Sequence, residues 1–129
     1  MKKFFLVVSI LFSWSQVQAQ SDIKNSKDYY LLERMPNYYI EKYDELEFSN
    51  HKFFIDKEYI SKEGRKYTLK YIHKKSKDKE FVFPTRLQLL RNYSNAIVKA
   101  GGKIIFERYN SEHGYYAFQH NGKNVWVQV

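Results

Sequence analysis

The sequence predicts an α+β fold in which one main helix packs on a mostly antiparallel sheet that ends in a three-stranded meander. Three observations lead to this prediction. A capping pattern and a Gly-Gly stop bracket residues 86–100, as at the two ends of a helix. An Asn-Gly pair separates two alternating segments near residue 121, which is typical of a β-hairpin. The chain also contains 12 Tyr and 10 Phe, and aromatic residues favour half-buried strands.

Residues 1–19 have the pattern of a secretory signal peptide. Lys2 and Lys3 precede an apolar run at residues 4–12, and Val17-Gln18-Ala19 supplies small residues for a cleavage site. The apolar run is shorter than the roughly 20 residues that cross a bilayer. We therefore expect cleavage near Ala19 and a mature chain that is periplasmic or secreted.

After this leader, the sequence divides into a polar stretch at residues 20–28 and a single α+β domain at residues 29–129. We expect the polar stretch to be a flexible mature N-terminus. A mature chain of about 110 residues has the usual size of one domain. The sequence contains no Cys, so the apolar core must stabilise the fold without disulfides or thiolate metal sites.

The chain is basic, with a formal net charge of +8 at pH 7. Positive charge attracts anionic partners. For an exported protein we expect these partners to be glycans, lipid headgroups or acidic protein surfaces, with possible peripheral membrane contact, and not nucleic acid. The alternative is that the charge only keeps the domain soluble.

The first half of the domain predicts extended structure. Pro36 biases the residue before it towards an extended conformation, so we expect residues 29–36 to lie across the sheet. Weak alternation suggests one or two strands at residues 38–48 and a short strand at residues 53–55.

Residues 65–73 alternate more clearly, with an aromatic and apolar face opposite a cationic face. Four lysines on the cationic face and in the loop after it form a predicted anion-binding site for phosphate or carboxylate groups. A solvated face without a ligand is the alternative. The four are Lys66, Lys70, Lys74 and Lys75.

The helix predicted at residues 86–100 carries the strongest local signals. Thr85 is a good N-cap, and Gln88 completes a capping box with it. Gly101-Gly102 supplies the left-handed stop. Apolar residues recur every three or four positions and should face the sheet: Leu89, Leu90, Tyr93, Ala96, Ile97 and Ala100.

The last third predicts a meander with strands at residues 103–108, 115–120 and 123–129. A two-residue turn at Asn121-Gly122 fixes the register of the last two strands. It pairs His120 with Lys123, Phe118 with Val125, Ala117 with Trp126 and Tyr116 with Val127. A five-residue loop at residues 110–114 would place Phe106 opposite Phe118. The core face would then comprise Ile104, Phe106, Tyr116, Phe118, Val125 and Val127.

The other face of this hairpin is a predicted ligand site, because aromatic rings can stack on sugars or peptides while amide side chains bind polar groups. The alternative is that the Tyr-rich residues 29–48 cover this face and bury Trp126. The residues proposed to bind a ligand are Tyr115, Gln119, Asn124, Trp126 and Gln128.

Motifs of known catalytic and metal sites are absent from the sequence. The four histidines have no metal-ligand spacing, and no nucleophile elbow, P-loop or dinucleotide fingerprint occurs. We therefore expect no catalytic residues, no metal and no cofactor, and a protein that is not an enzyme.

The helix and the segments around it resemble a domain of unknown function found at the N-terminus of OmpA-family envelope proteins of Gram-negative bacteria. The resemblance implies a periplasmic location and weakens an enzymatic role. It transfers neither catalytic residues nor peptidoglycan anchoring, which belongs to the C-terminal OmpA-like domain. The matching residues are Leu87-Gln88, Arg91-Asn92-Tyr93, Asn95-Ala96, Lys99 and Gly101-Gly102, with support from residues 28–36, Glu63-Gly64-Arg65, Tyr67, Gly122-Lys123 and Val125-Trp126-Val127.

Together these features lead us to expect an exported, periplasmic, non-catalytic domain that binds a cell-envelope component: a glycan, an anionic lipid headgroup or an envelope protein. The first alternative is a small cell-wall hydrolase or an inhibitor of such an enzyme. The second is a stabilising domain that contacts a membrane protein.

Overall fold

The computed structural model describes residues 20–75, 82–109 and 113–129, and the predicted signal peptide lies outside them. Most of the described chain is antiparallel strand with a single helix, as the sequence predicts, but the strands form two sheets. The first sheet pairs β1 with β2, and the second has the order β3-β4-β5. The elements are β1 (Tyr38–Ile55), β2 (Glu58–His73), α1 (Arg86–Lys99), β3 (Lys103–Tyr109), β4 (Gly114–His120) and β5 (Lys123–Gln128). No helix in the described ranges is long and apolar enough to cross a membrane.

The register of β4 and β5 is the one predicted from the Asn-Gly turn. His120 pairs with Lys123, and each successive pair follows, so that Ala117 lies opposite Trp126. Asn121 and Gly122 both have positive φ, as a two-residue turn of this kind requires. The alternation of the sequence and the chemistry of the turn therefore determine this hairpin together.

The predicted position of Phe106 is wrong. Tyr109 pairs with Gly114, and a register shift between Ile104 and Phe106 leaves Ile105 as an extra residue in β3. Because one extra residue moves the following side chains to the opposite face, Phe106 pairs with Ala117 and lies on the Trp126 side of the sheet.

Helix α1 begins and ends as predicted. The Thr85 side chain accepts a hydrogen bond from the Gln88 N–H, and the Gln88 side chain accepts one from the Thr85 N–H. Gly101 follows the helix with a φ of 80°. The buried helix residues are Leu90, Ser94 and Ile97, so Ser94 belongs to the inward face, which its polar side chain did not indicate.

Two apolar clusters lie on the two faces of the β3-β4-β5 sheet. The inner cluster joins the helix, the sheet and the chain before β1, and its buried members are Leu31, Leu32, Ile97, Tyr116 and Phe118. The outer cluster joins the sheet to the β1-β2 hairpin, and its members are Phe53, Ile55 and Tyr115 with Ile60, Phe106 and Trp126 packed against them.

The β1-β2 hairpin is much longer than the sequence suggested, because Asp56 and Lys57 form a tight turn with φ values of 51° and 69°. A second irregularity bends it halfway, where the register shifts between Leu46 and Ser49. Gly64 pairs with Ser49 at this point and has a φ of 151°. On one side of the bend the Tyr67 ring lies 5.1 Å from that of Tyr29, which packs against the inner cluster, and on the other side Phe53 and Ile55 belong to the outer cluster.

The base of the hairpin is attached to the preceding chain by what we call the Arg34 cluster: Asp22, Asp28, Arg34 and Tyr71. Arg34 donates two hydrogen bonds to Asp22, at 2.6 and 2.8 Å, and Nε lies 2.9 Å from both carboxylate oxygens of Asp28. The Tyr71 hydroxyl donates to Asp28 at 2.6 Å. The flexibility expected for residues 20–28 stays a prediction, but Asp22 and Asp28 in this stretch contact the fold through Arg34.

The change Gly64→Ala tests the bend in the hairpin. Alanine at a φ of 151° is strained, although no heavy atom lies within 4 Å of the added Cβ. We expect the free energy of unfolding to fall by about 1–2 kcal/mol in urea denaturation. Ser61→Ala, at an exposed position of the same strand, is the control; a loss at Gly64 no larger than the control's would contradict this role.

Candidate functional site

A groove of about 1050 Å³ runs between the long hairpin and β5. Residues 49–51 and 62–69 form the hairpin wall, and residues 123–129 form the opposite wall. Tyr29, Leu32 and Tyr93 also line it, from the side of the inner cluster. The groove exists because the hairpin contacts the rest of the fold at its base and at its tip, and β5 is an edge strand between these attachments.

The tip of the hairpin covers much of the face predicted to bind a ligand. The Phe53 ring lies 5.7 Å from Trp126 and 6.4 Å from Tyr115, measured between ring centroids. His51 Nε2 lies 2.9 Å from the Gln128 side-chain oxygen. The covering segment is therefore residues 51–62, and not residues 29–48 as the alternative proposed.

The five residues predicted to bind a ligand consequently have different environments. Tyr115 is only 3% exposed and belongs to the outer cluster. Gln119 is exposed but does not line the groove. Asn124, Trp126 and Gln128 do line it, with Trp126 half-buried.

The indole of Trp126 has neighbours on several sides. Its centroid lies 6.0 Å from that of Phe106, and Lys62 Nζ lies 4.5 Å from the indole centroid. A cation held over an indole face is attracted by the ring quadrupole. Trp126 is thus packed against protein groups and does not offer a bare ring for stacking.

The four lysines predicted to bind anions do not converge. Lys66 lines the groove, and its Nζ donates to the Asn50 carbonyl at 3.4 Å. Lys70 instead forms an ion pair with Glu41 at 2.6 Å. Lys74 and Lys75 are exposed near the base of the hairpin, where their backbone N–H groups donate to Asn37 and Gln20.

Sequence reasoning missed most of the cations that line the groove. Lys62, Arg65 and Lys123 join Lys66 there, whereas Glu63 is the one acidic side chain among the described lining residues. Lys62 and Lys66 lie four apart in one strand, on the two sides of the bend at Gly64. The four-residue spacing of Lys62 and Lys66 was visible in the sequence, but it could be interpreted only by knowing that β2 begins at Glu58.

The edge of β5 offers backbone hydrogen-bonding groups to the groove. Gly114 and Val129 exchange both backbone hydrogen bonds, at 2.9 and 2.8 Å. Since such pairs alternate along an antiparallel ladder, Val125 and Val127 bond to β4, whereas Asn124, Trp126 and Gln128 direct their N–H and C=O groups away from it. Among the described residues, none forms a backbone hydrogen bond with these outward groups.

Tyr29, Tyr71 and Tyr93 beside the groove are phenols whose pKa is raised. Burial raises the pKa of Tyr93 to about 12. Burial, and then donation to the Asp28 carboxylate, raise the pKa of Tyr71. Burial likewise raises the pKa of Tyr29. Because these three phenols hold their protons near neutral pH, none of them can act as a general base there.

The described residues contain no group of three or more His, Asp or Glu side chains that could hold a metal ion. With Glu63 as the one lining carboxylate, these walls also lack the facing pair that a glycosidase uses. The chemistry that the groove offers is hydrogen bonding, apolar contact and attraction of negative charge.

No protein-family model, curated protein or solved structure matches the chain significantly. The resemblance to the N-terminal module of OmpA-family proteins therefore stays a prediction, and function has to be argued from the groove.

The Arg34 cluster gives the fold an acid-sensitive attachment. Hydrogen bonds from Arg34, and then from the Ile40 N–H, lower the pKa of Asp22 from 3.8 to about 2. A carboxylate whose pKa is lowered by folding stabilises the native state above its unfolded pKa. That contribution is lost as the pH falls from about 4 to 2.

We expect Asp22→Asn to lower the free energy of unfolding by about 1 kcal/mol at pH 7, because water screens this partly exposed pair. The amide oxygen can still accept from the Ile40 N–H, so the charge is the main change. The variant should also lose less stability than the parent between pH 4 and 2, measured by urea denaturation.

Asp44→Asn is the matched control, since Asp44 is an exposed carboxylate in β1. Equal acid sensitivity of the parent and the Asp22 variant would contradict the assigned role of Asp22.

Proposed function

We propose that this protein is an exported, periplasmic, non-catalytic domain that binds an elongated anionic component of the cell envelope in the groove between the hairpin and β5. The observation that carries the proposal is the combination of cationic and aromatic side chains along one open groove. Lys62 and Lys66 supply charge, and Tyr29, Tyr67 and Tyr93 supply apolar surface with hydroxyl groups.

The size of the groove supports an elongated ligand. At about 1050 Å³ it is at the upper end of the range for small-molecule pockets. Its two long walls follow strands, so a chain-like molecule makes more contacts there than a compact one. The bent hairpin keeps these walls apart.

We further propose that α1 packs on the β3-β4-β5 sheet and forms one unit with the groove. The Tyr116 hydroxyl donates to the Leu90 carbonyl at 2.6 Å, and Ile97 is buried in the inner cluster. These contacts support a rigid wall, which lowers the entropic cost of binding. The leader pattern and the resemblance to an envelope module support the location.

A hydrolase is the weaker alternative. The described lining residues offer Glu63 as an acidic side chain without an acidic partner on the facing wall, and burial raises the pKa of the Tyr93 hydroxyl to about 12. An inhibitor of a hydrolase remains compatible with a protein ligand in the same groove.

The change Lys62→Glu tests the proposal. We expect the purified protein to capture material from solubilised Gram-negative envelope at low salt, and less at moderate salt because ions screen exposed charges. Lys62→Glu should reduce the captured peptidoglycan, lipopolysaccharide or membrane protein by at least about tenfold, since an attraction becomes a repulsion.

Lys103→Glu is the matched control, because it makes the same change of charge on β3, at the other edge of the sheet. Equal loss in both variants would mean attraction by net charge alone. No capture by the parent at either salt would contradict the proposed function.

A further inference from the structure

We propose that the occupant of the groove is an extended peptide segment of another protein, which adds a strand to the open edge of β5. This inference rests on the proposed function and names the ligand class. The segment has acidic residues alternating with apolar ones.

The backbone of β5 supplies the first argument. Asn124, Trp126 and Gln128 direct their N–H and C=O groups towards the groove, and these are the groups that a new strand requires. The six residues of β5 extend over about 20 Å, enough to pair with a peptide of similar length. Strand addition of this kind derives its affinity from main-chain hydrogen bonds.

The two faces of β5 determine which side chains the peptide should carry. Val125 and Val127 belong to the inner cluster, whereas Trp126 belongs to the outer cluster. A strand beside β5 would alternate between the same faces. Its inward side chains would meet Tyr29 and Tyr67, whose rings lie 5.1 Å apart, and should be apolar.

Side chains on the other face would meet Lys62, whose Nζ lies 4.5 Å from the Trp126 ring centroid. Lys66 also lines the groove, on the other side of the bend at Gly64. Arg65 is already paired with Glu45 at 3.1 Å, so Lys62 and Lys66 are the cations that the hairpin wall offers to a ligand. Acidic residues at alternate positions complement them.

The same geometry disfavours a glycan or a lipid. Sugar binding to Trp126 would need an open ring face, and Phe53, Phe106 and Lys62 surround the indole. A phospholipid headgroup would use the lysines but leave the backbone groups of β5 without partners. Of these three ligand classes, only a peptide can both complement the charge of the lysines and form hydrogen bonds with the backbone of β5.

A blocked seven-residue peptide of alternating Glu and Val is the probe, and its binding to the purified protein is measured by calorimetry at low salt. The control peptide alternates Lys and Val. We expect the acidic peptide to bind with a dissociation constant at least about tenfold lower than the control, because only its charge complements Lys62 and Lys66.

Methylation of peptide nitrogens tests the strand pairing. In an antiparallel pair, opposite residues share a face, and every second opposite pair exchanges both hydrogen bonds; on β5 these would be the pairs that Asn124, Trp126 and Gln128 form with the Glu residues. Methylating the Glu nitrogens should therefore weaken binding by about tenfold or more, because several bonds of roughly three- to tenfold each are lost. Methylating the Val nitrogens should change binding by less than about twofold. If the peptide binds as a parallel strand, methylation of the Val nitrogens should instead be the change that weakens binding, and this result would also support strand addition.

Asn124→Pro removes one outward N–H from β5, and Pro is tolerated on edge strands at such positions. We expect Asn124→Pro to bind the peptide about three- to tenfold more weakly than Asn124→Ala, which has an equally truncated polar group but keeps the N–H. Thermal unfolding of both variants checks that they fold. If Asn124→Pro does not fold, the methylated peptides still test the strand pairing.

Failure of the acidic peptide to bind, or equal effects of both methylated sets, would overturn strand addition. If envelope capture still depends on Lys62 in that case, the proposed function stands and the ligand is a glycan or a lipid. If capture is also absent, both proposals fail.

Discussion

The two-sided pairing of Arg34 with Asp22 and Asp28 is the interaction on which the arrangement of the groove depends. One guanidinium joins residues on both sides of a turn in the chain, and Asp28 in turn accepts from Tyr71 of β2. The Arg34 side chain is only 19% exposed, so these bonds operate in a partly dehydrated environment, where a lost partner costs more than at the surface. Leu31 and Leu32, just before Arg34, are buried in the inner cluster. The cluster thus fixes the base of the hairpin to the core.

The second attachment, at the tip of the hairpin, is apolar. Phe53 and Ile55 pack on the outer face of the β3-β4-β5 sheet beside Tyr115. Between the two attachments the hairpin stays apart from β5, and the β5 edge keeps its outward backbone groups. Long open edges are a risk for aggregation, and proteins protect them with charge. Lys62 and Lys123 beside this edge discourage pairing with basic copies of the same chain while attracting an acidic strand.

Much of the second half of the fold was predictable, because its determinants are local. Thr85 with Gln88 defines the start of the helix, and Asn121-Gly122 defines the last hairpin. The first half was not predictable, for two reasons. The Asp56-Lys57 turn has positive φ at both residues but lacks the glycine that usually indicates such a turn, and the hairpin bends at Gly64, so that different strand positions face inward on the two sides of the bend. The predicted position of Phe106 was wrong because β3 contains one extra residue, and no periodicity in the sequence indicates it. The groove depends on these non-local features, so the sequence revealed Trp126 and Lys66 but not what lies around them.

Amide hydrogen exchange along β5, followed by NMR on the free protein, tests the central claim that this strand has an open edge. We expect alternation: slow exchange for Val125, Val127 and Val129, whose N–H groups bond to β4, and fast exchange for Asn124, Trp126 and Gln128. Uniformly slow exchange along the strand would contradict it, because the outward groups would then already have a partner and no edge would be open to a ligand.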